Sequence, residues 1–168
     1  MYFYNLIKDL TKDKETVIFV DMDGVIAAFD FGKPLEFDKK RPLYTNIKTL
    51  EKINELPNVE LKILSACRTD NQIEEKNVWL DKYAPFFVKE NRNILSRESH
   101  GNQPSNEMKC DFLSSLDDNR QIVIIDDDIL VLRTVHGKLK NIICFQDSEL
   151  IDYEYVIIFF FYVIIKAI

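Results

Sequence analysis

The chain has 168 residues, 46% of them apolar and 30% charged, which fits a single globular domain and excludes a disordered polymer. Its formal charge of −6 excludes a protein that coats nucleic acid non-specifically, because such binding rests on neutralising phosphates with Lys and Arg. Three scattered cysteines, Cys67, Cys110 and Cys144, give neither a zinc spacing nor a disulfide framework and point to a reducing, cytoplasmic setting.

The first fifteen residues, "MYFYNLIKDLTKDKE", lack a basic start followed by an apolar run and a cleavage site, so no signal peptide is expected. Residues 2–10 predict a short helix and 11–15 a charged turn. "TVIFVD", residues 16–21, reads as a buried parallel strand that ends in Asp21. Residues 30–42 hold Gly32, Pro34 and Pro42 among charged side chains, which predicts a loop. Ile47, Leu50, Ile53 and Leu56 recur at helical spacing within 45–56, and Pro57-Asn58 closes that helix.

A second strand follows over 59–66, "VELKILSA". Residues 71–85 then predict a helix with Ile73, Val78, Trp79 and Tyr83 available to the core. A short strand at 92–96 and a polar loop at 97–107 precede a helix over 108–116. "QIVIIDDD", residues 121–128, is another apolar strand ending in acids. It is followed by a helix over 128–137 ended by Gly137 and a strand over 140–145. Strands alternating with helices imply an α/β fold with a central parallel sheet and helices on both faces.

In such sheets ligands gather at the carboxyl ends of the strands. Three strand ends turn abruptly polar: Asp21 with Asp23, Ser65, and Asp126 to Asp128. Buried carboxylates are costly unless paired or bound to a metal. Hard oxygen ligands in this number favour Mg²⁺. One acid can then attack as a nucleophile while its neighbour two residues on moves protons.

This arrangement resembles the haloacid dehalogenase-like hydrolases. Their first motif, DxDx[TV], stands here as "DMDGV" from Asp21, and their second as "LKILS", ending in Ser65. The third, a Lys opening a helix, is met best by Lys109; Lys76 and Lys89 lie in other segments. The fourth stands as "VIIDDD". The resemblance implies a three-layer Rossmann-like core over residues 1–150. It also implies a Mg²⁺-dependent phosphomonoesterase with Asp21 as nucleophile and Asp23 as general acid/base. Ser65 and Lys109 would bind the phosphoryl group. The metal site would comprise Asp21, Asp23 through its carbonyl, Asp126 and Asp127, with Asp128 a competing third acid and Asp126 favoured.

"ILSACRTDNQIEEKNVWLDKYAP" is more specifically similar to the 5′(3′)-deoxyribonucleotidase branch, across about residues 16–146. That implies a small phosphorylated partner, a 5′ (or 3′) nucleotide, without stable nucleic-acid binding, in a monomer or homodimer. The branch carries a helical cap after its first motif. Only 21 residues separate Asp23 from Thr45, so the cap is expected to be lost or reduced to a flap over 30–44. An open site suits a larger substrate, which keeps a nucleic-acid end (3′-phosphate) phosphatase as an alternative.

The bland readings stand beside these. Asp126 to Asp128 can be an N-cap cluster, Lys39-Lys40-Arg41 a soluble surface, and Arg68 part of a solvated loop. His100 and His136 have no partners at ligand spacing. The tail is unmatched: residues 156–165 are ten uninterrupted apolar residues, short of the roughly 18–20 a spanning helix needs. They suit a strand or an anchor, and membrane attachment or an idle regulatory module stays open on their account.

Overall fold

The computed structural model describes residues 2–29 and 36–151. The apolar tail and the first part of the expected flap lie outside the described residues. A five-stranded, wholly parallel sheet organises the molecule, in the order β3-β2-β1-β4-β5. The strands are β1 (Thr16–Val20), β2 (Val59–Cys67), β3 (Arg92–Ser96), β4 (Gln121–Asp126) and β5 (Ile143–Gln146). Five helices accompany them: α1 (Tyr2–Leu10), α2 (Tyr44–Ile53), α3 (Asn71–Tyr83), α4 (Ser105–Ser114) and α5 (Ile129–Lys138).

The central strand shows why the sheet needs cover on both faces. Its residues Val17 to Val20 are all buried, so each face of the pleat meets apolar partners. Ile18 and Val20 join Phe3, Ile7, Leu50, Ile53, Trp79 and Leu80 from α1, α2 and α3. Val17 and Phe19 join Cys110, Leu113, Val131, Leu132 and Val135 from α4 and α5. Two cores on either side of one sheet make three layers.

The chain runs outward from β1 to β2 and β3, then returns to build β4 and β5 on the other side of β1. The strand order therefore reverses between β1 and β4, and a crevice opens at their carboxyl ends, where open parallel sheets bind ligands. Val20 pairs with Ile125, and Asp21 N–H donates to Ile125 O at 3.0 Å. Asp21 and Asp126 thus leave neighbouring strands at the same level.

Several boundaries depart from the sequence expectation. Helix α4 starts at Ser105, inside the expected polar loop, because Pro104 fixes an extended entry and Glu107 sits favourably in the first turn. Gly137 lies within α5, which runs on to Lys138. Val78 is 50% exposed and not part of the core, whereas Ile47, Leu50, Ile53 and Leu56 are all buried as their spacing requires. Between β1 and α2, the described residues form turns and one short 3₁₀ turn, Phe37–Lys39. None of the helices among the described residues is long and apolar enough to cross a membrane.

Candidate active site

Asp21 follows β1 directly and is buried. The chain then turns sharply: Ile26 and Ala27 N–H groups donate to Met22 O at 3.0 and 2.8 Å, and Gly24 N–H donates to Ala27 O at 2.8 Å. Gly24 takes φ +76°, a conformation that favours glycine. A Cβ there would lie 2.0 Å from Asp127 Oδ2. The glycine therefore lets the β1 turn close onto the β4 acids.

Asp21, Asp126 and Asp127 offer carboxylate oxygens that all lie within 4.8 Å of one another. Lys109, from the first turns of α4, reaches into the cluster; its Nζ donates to Asp126 Oδ2 at 2.7 Å and stands 3.0 Å from Asp21 Oδ1. That second approach is an ion pair outside hydrogen-bond geometry, so buried Asp21 Oδ1 has no hydrogen-bond partner. Asp126 Oδ1 accepts the Asp128 N–H at 3.0 Å. Asp128 caps α5, accepting from Leu130 N–H at 2.8 Å. Of the three acids only Asp128 takes the capping role, and all three line the cavity.

The electrostatics follow from crowding. Burial, with the charge of Asp21 adding and Lys109 opposing, pushes the Asp126 carboxyl up to about 7. Burial and Asp21 push Asp127 up to about 6. Burial works against the Lys109 ammonium, but Asp21 and Asp126 outweigh it and hold that group above its usual range. Three carboxylates against one ammonium leave two negative charges uncompensated when all are ionised. That deficit fits a divalent cation, which an all-oxygen donor set could hold.

Opposite the acids lies a second cluster. Ser65, fully buried near the end of β2, accepts a hydrogen bond from Lys76 Nζ at 2.8 Å, and Lys76 also donates to Asp23 Oδ2 at 2.7 Å. Lys40 bonds the other oxygen, Asp23 Oδ1. Burial alone would raise the Asp23 carboxyl, but Lys76 and Lys40 hold it below the usual carboxylate range.

Lys76 and Lys40 are the site residues that sequence reasoning missed. Lys76 carried a readable sign: with Gln72, Trp79 and Leu80 it forms the buried face of α3, at spacings of three and four residues. Lys40 had none in its local sequence. It was expected on a soluble surface; its side chain is only 5% exposed. Phe37 packs edge-on against Trp79 at 6.0 Å, and Trp79 Nε1–H donates to Lys40 O at 2.9 Å. Phe37 N–H donates to Glu75 Oε2 at 3.2 Å. The flap residues 36–40 are thereby fastened to α3, with the Lys76 and Lys40 ammonium groups over the Phe37 ring at 4.4 and 4.8 Å. Arg68, expected in a solvated loop, also lines the cavity, which has a volume of about 580 Å³.

No family model matches the chain, and no curated protein matches it. Solved structures do. A chain of the Pnkp1/Rnl/Hen1 complex superposes with a TM-score of 0.61 at 16% identity, over 80% of this chain and 46% of its own length. One of the Pnkp1/Rnl/Hen1 RNA repair complex gives 0.62 at 17%, over 79% and 42%. The class C acid phosphatase from Bacillus anthracis, solved with tungstate bound, gives 0.54 at 15%, over 88% and 76%. The chain shares its α/β fold with these structures, the class C acid phosphatase among them. This chain spans less than half the length of the two RNA-repair chains it matches. In the shared fold, the acidic cluster here occupies the crevice between β1 and β4.

Proposed function

We propose that the protein is a Mg²⁺-dependent phosphomonoesterase that works through an aspartyl-phosphate on Asp21, acting on 5′ (or 3′) nucleotides or similar small phosphate esters. The observation that carries this reading is that one cavity gathers both clusters. Asp21, Asp126 and Asp127 crowd together in it, and Lys76 and Lys109 line it too, with buried Ser65 hydrogen-bonded to Lys76. Phosphatase neighbours in fold space support it.

The bond from an Asp21 oxygen to phosphorus forms as the ester P–O bond breaks, and the leaving alkoxide takes a proton from Asp23. Water then cleaves the acyl phosphate, Asp23 takes that water's proton, and inorganic phosphate leaves with Asp21 restored. Ser65, Lys76 and Lys109 supply fixed donors where the phosphoryl oxygens carry charge. A phosphoryl group drawn to Lys76 weakens that lysine's hold on Asp23, so Asp23 can carry the proton it delivers. Asp21, Asp126, Asp127 and the Asp23 carbonyl would hold the Mg²⁺, which when bound supplies positive charge to the transferring group.

Phosphate release from a panel of nucleoside monophosphates tests the reading. Asp21→Asn and chelator are each expected to lower it by at least about a thousandfold; activity indifferent to either would overturn the proposal. A second reading, a phosphatase of nucleic-acid ends, draws support from the RNA-repair chains that share the fold. Comparing a 3′-phosphorylated oligonucleotide with the free mononucleotide separates the two.

A further inference from the structure

Beyond the reaction centre, the cavity wall carries two arginines. The β2–β3 ladder ends at the pair Cys67 and Ser96. The two chains stay together past it, with Arg97 N–H donating to Cys67 O at 2.9 Å and Glu98 N–H to Arg68 O at 3.1 Å. Arg68 and Arg97 are therefore neighbours across the sheet's end, and both line the cavity that holds Asp21, Lys76 and Lys109.

Like charges set side by side are destabilising unless something neutralises them. No ion pair among the described residues holds either guanidinium. The Arg68 guanidinium has no hydrogen-bond or ion-pair partner among them. Arg97 gives Nε–H to Gln103 O and an Nη2 hydrogen to Asn102 O, both at 3.2 Å. Those carbonyls are neutral, so they aim the guanidinium without cancelling its charge. They are presented by the β3–α4 turn, in which Gly101 and Asn102 take φ of 61° and 60°. Of the nearby acids, Glu98 Oε2 accepts from Asp70 N–H at 3.1 Å and Asp70 Oδ1 from Ser99 Oγ at 2.7 Å, and neither carboxylate is ion-paired to Arg68 or Arg97.

Two neighbouring guanidinium groups without an ion-pair partner, one of them oriented by backbone carbonyls, suit a phosphate, which they can grip through parallel hydrogen bonds. Arg68 lies three positions after Ser65, so their Cα atoms lie at most about 11 Å apart. The site of phosphoryl transfer and the arginine pair can thus engage two groups of one molecule. We propose that Arg68 and Arg97 bind a second phosphate of the substrate, one that is not transferred. The substrate is then a phosphate monoester bearing another phosphate: a nucleoside bisphosphate, or a nucleic-acid end with its adjoining phosphodiester. This inference rests on the phosphomonoesterase reading above.

Steady-state kinetics on a nucleoside 3′-monophosphate, a nucleoside 3′,5′-bisphosphate and a 3′-phosphorylated oligonucleotide test it. The Arg68→Gln/Arg97→Gln protein is expected to lose about tenfold or more in kcat/KM on a two-phosphate substrate, through KM. That loss should exceed the loss on the monophosphate by at least about fivefold, and Arg68→Lys/Arg97→Lys should recover part of it. Loss on both two-phosphate substrates assigns the subsite to any second phosphate; loss on the oligonucleotide alone assigns it to the phosphodiester. An equal loss on all three, or none, overturns the proposal. If the wild-type protein releases phosphate from nothing, the enzymatic reading fails. Binding of the labelled bisphosphate then decides the subsite alone: weaker binding by the glutamine variant supports it, and equal binding ends it.

Discussion

Gly24 is the residue on which the closure of the acidic cluster turns. Its positive φ and the 2.0 Å approach of Asp127 Oδ2 to any added Cβ act together in Gly24→Ala. That substitution meets left-handed backbone strain of about 1–2 kcal/mol and displaces the Asp127 carboxylate. Thermal unfolding should show a lower midpoint, and phosphate release should fall with it; a variant with wild-type values in both would refute this account. The same scale shows what was legible in the sequence. Asp21, Asp126 and Asp127 were readable because each follows an apolar run whose direction is fixed by the sheet. Lys109 was readable only as a lysine opening a helix. Lys40 and Lys76 were not picked out: Lys40 left no local sign and Lys76 only its place on the buried face of α3, and their shared partner Asp23 comes within reach only in the fold. Lys40 comes from the flap and Lys76 from mid-helix, and both converge on one carboxylate 17 and 53 residues away.

At the scale of elements, the sequence reading placed the five α-helices and five strands of the described residues, but their ends depended on local chemistry that residue patterns do not carry. The polar residues of 105–107 looked like loop, yet they form the first turn of α4 behind Pro104, with Asn106 buried. Gly137 looked like a stop, yet α5 passes through it. The opposite end of the sheet from the acids is tied by charge: Arg120, just before β4, bonds Asp118 at 2.7 Å and Glu60 of β2 at 2.9 Å. Hydrogen bonds from Arg120 hold the Asp118 carboxyl down to about 2. A carboxyl so depressed contributes stability that is fully present above its unfolded value, near about 4, and is lost as pH falls through the folded value. The difference in urea midpoint between wild type and Asp118→Asn should therefore shrink between pH 5 and pH 2. A gap that stays constant over that range would rule out the linkage.

For the molecule as a whole, the acidic crevice is a source of instability that a bound cation would relieve. A ligand at about a hundred times its Kd adds about 2.7 kcal/mol, and a domain of this size gains about 2–4 °C per kcal/mol. Differential scanning calorimetry with Mg²⁺ and with chelator should differ by several degrees, and Asp127→Asn should blunt that response. Equal melting temperatures would deny the cluster a metal. The architecture itself was open to reading from sequence, because an all-parallel sheet demands apolar strands and crossover helices in alternation. The arginine pair was hidden for the opposite reason: Arg68 and Arg97 meet only through the pairing of β2 with β3.

The bond from the Trp79 indole to the Lys40 carbonyl gives the protein a built-in optical probe. Trp79 is the single tryptophan of the chain, and it sits where residues 36–40 seat on α3. Any lifting of that segment exposes the ring to water or frees its N–H, so the emission maximum should move to longer wavelength without added label. Fluorescence titration with substrate can therefore follow flap and chemistry in one cuvette.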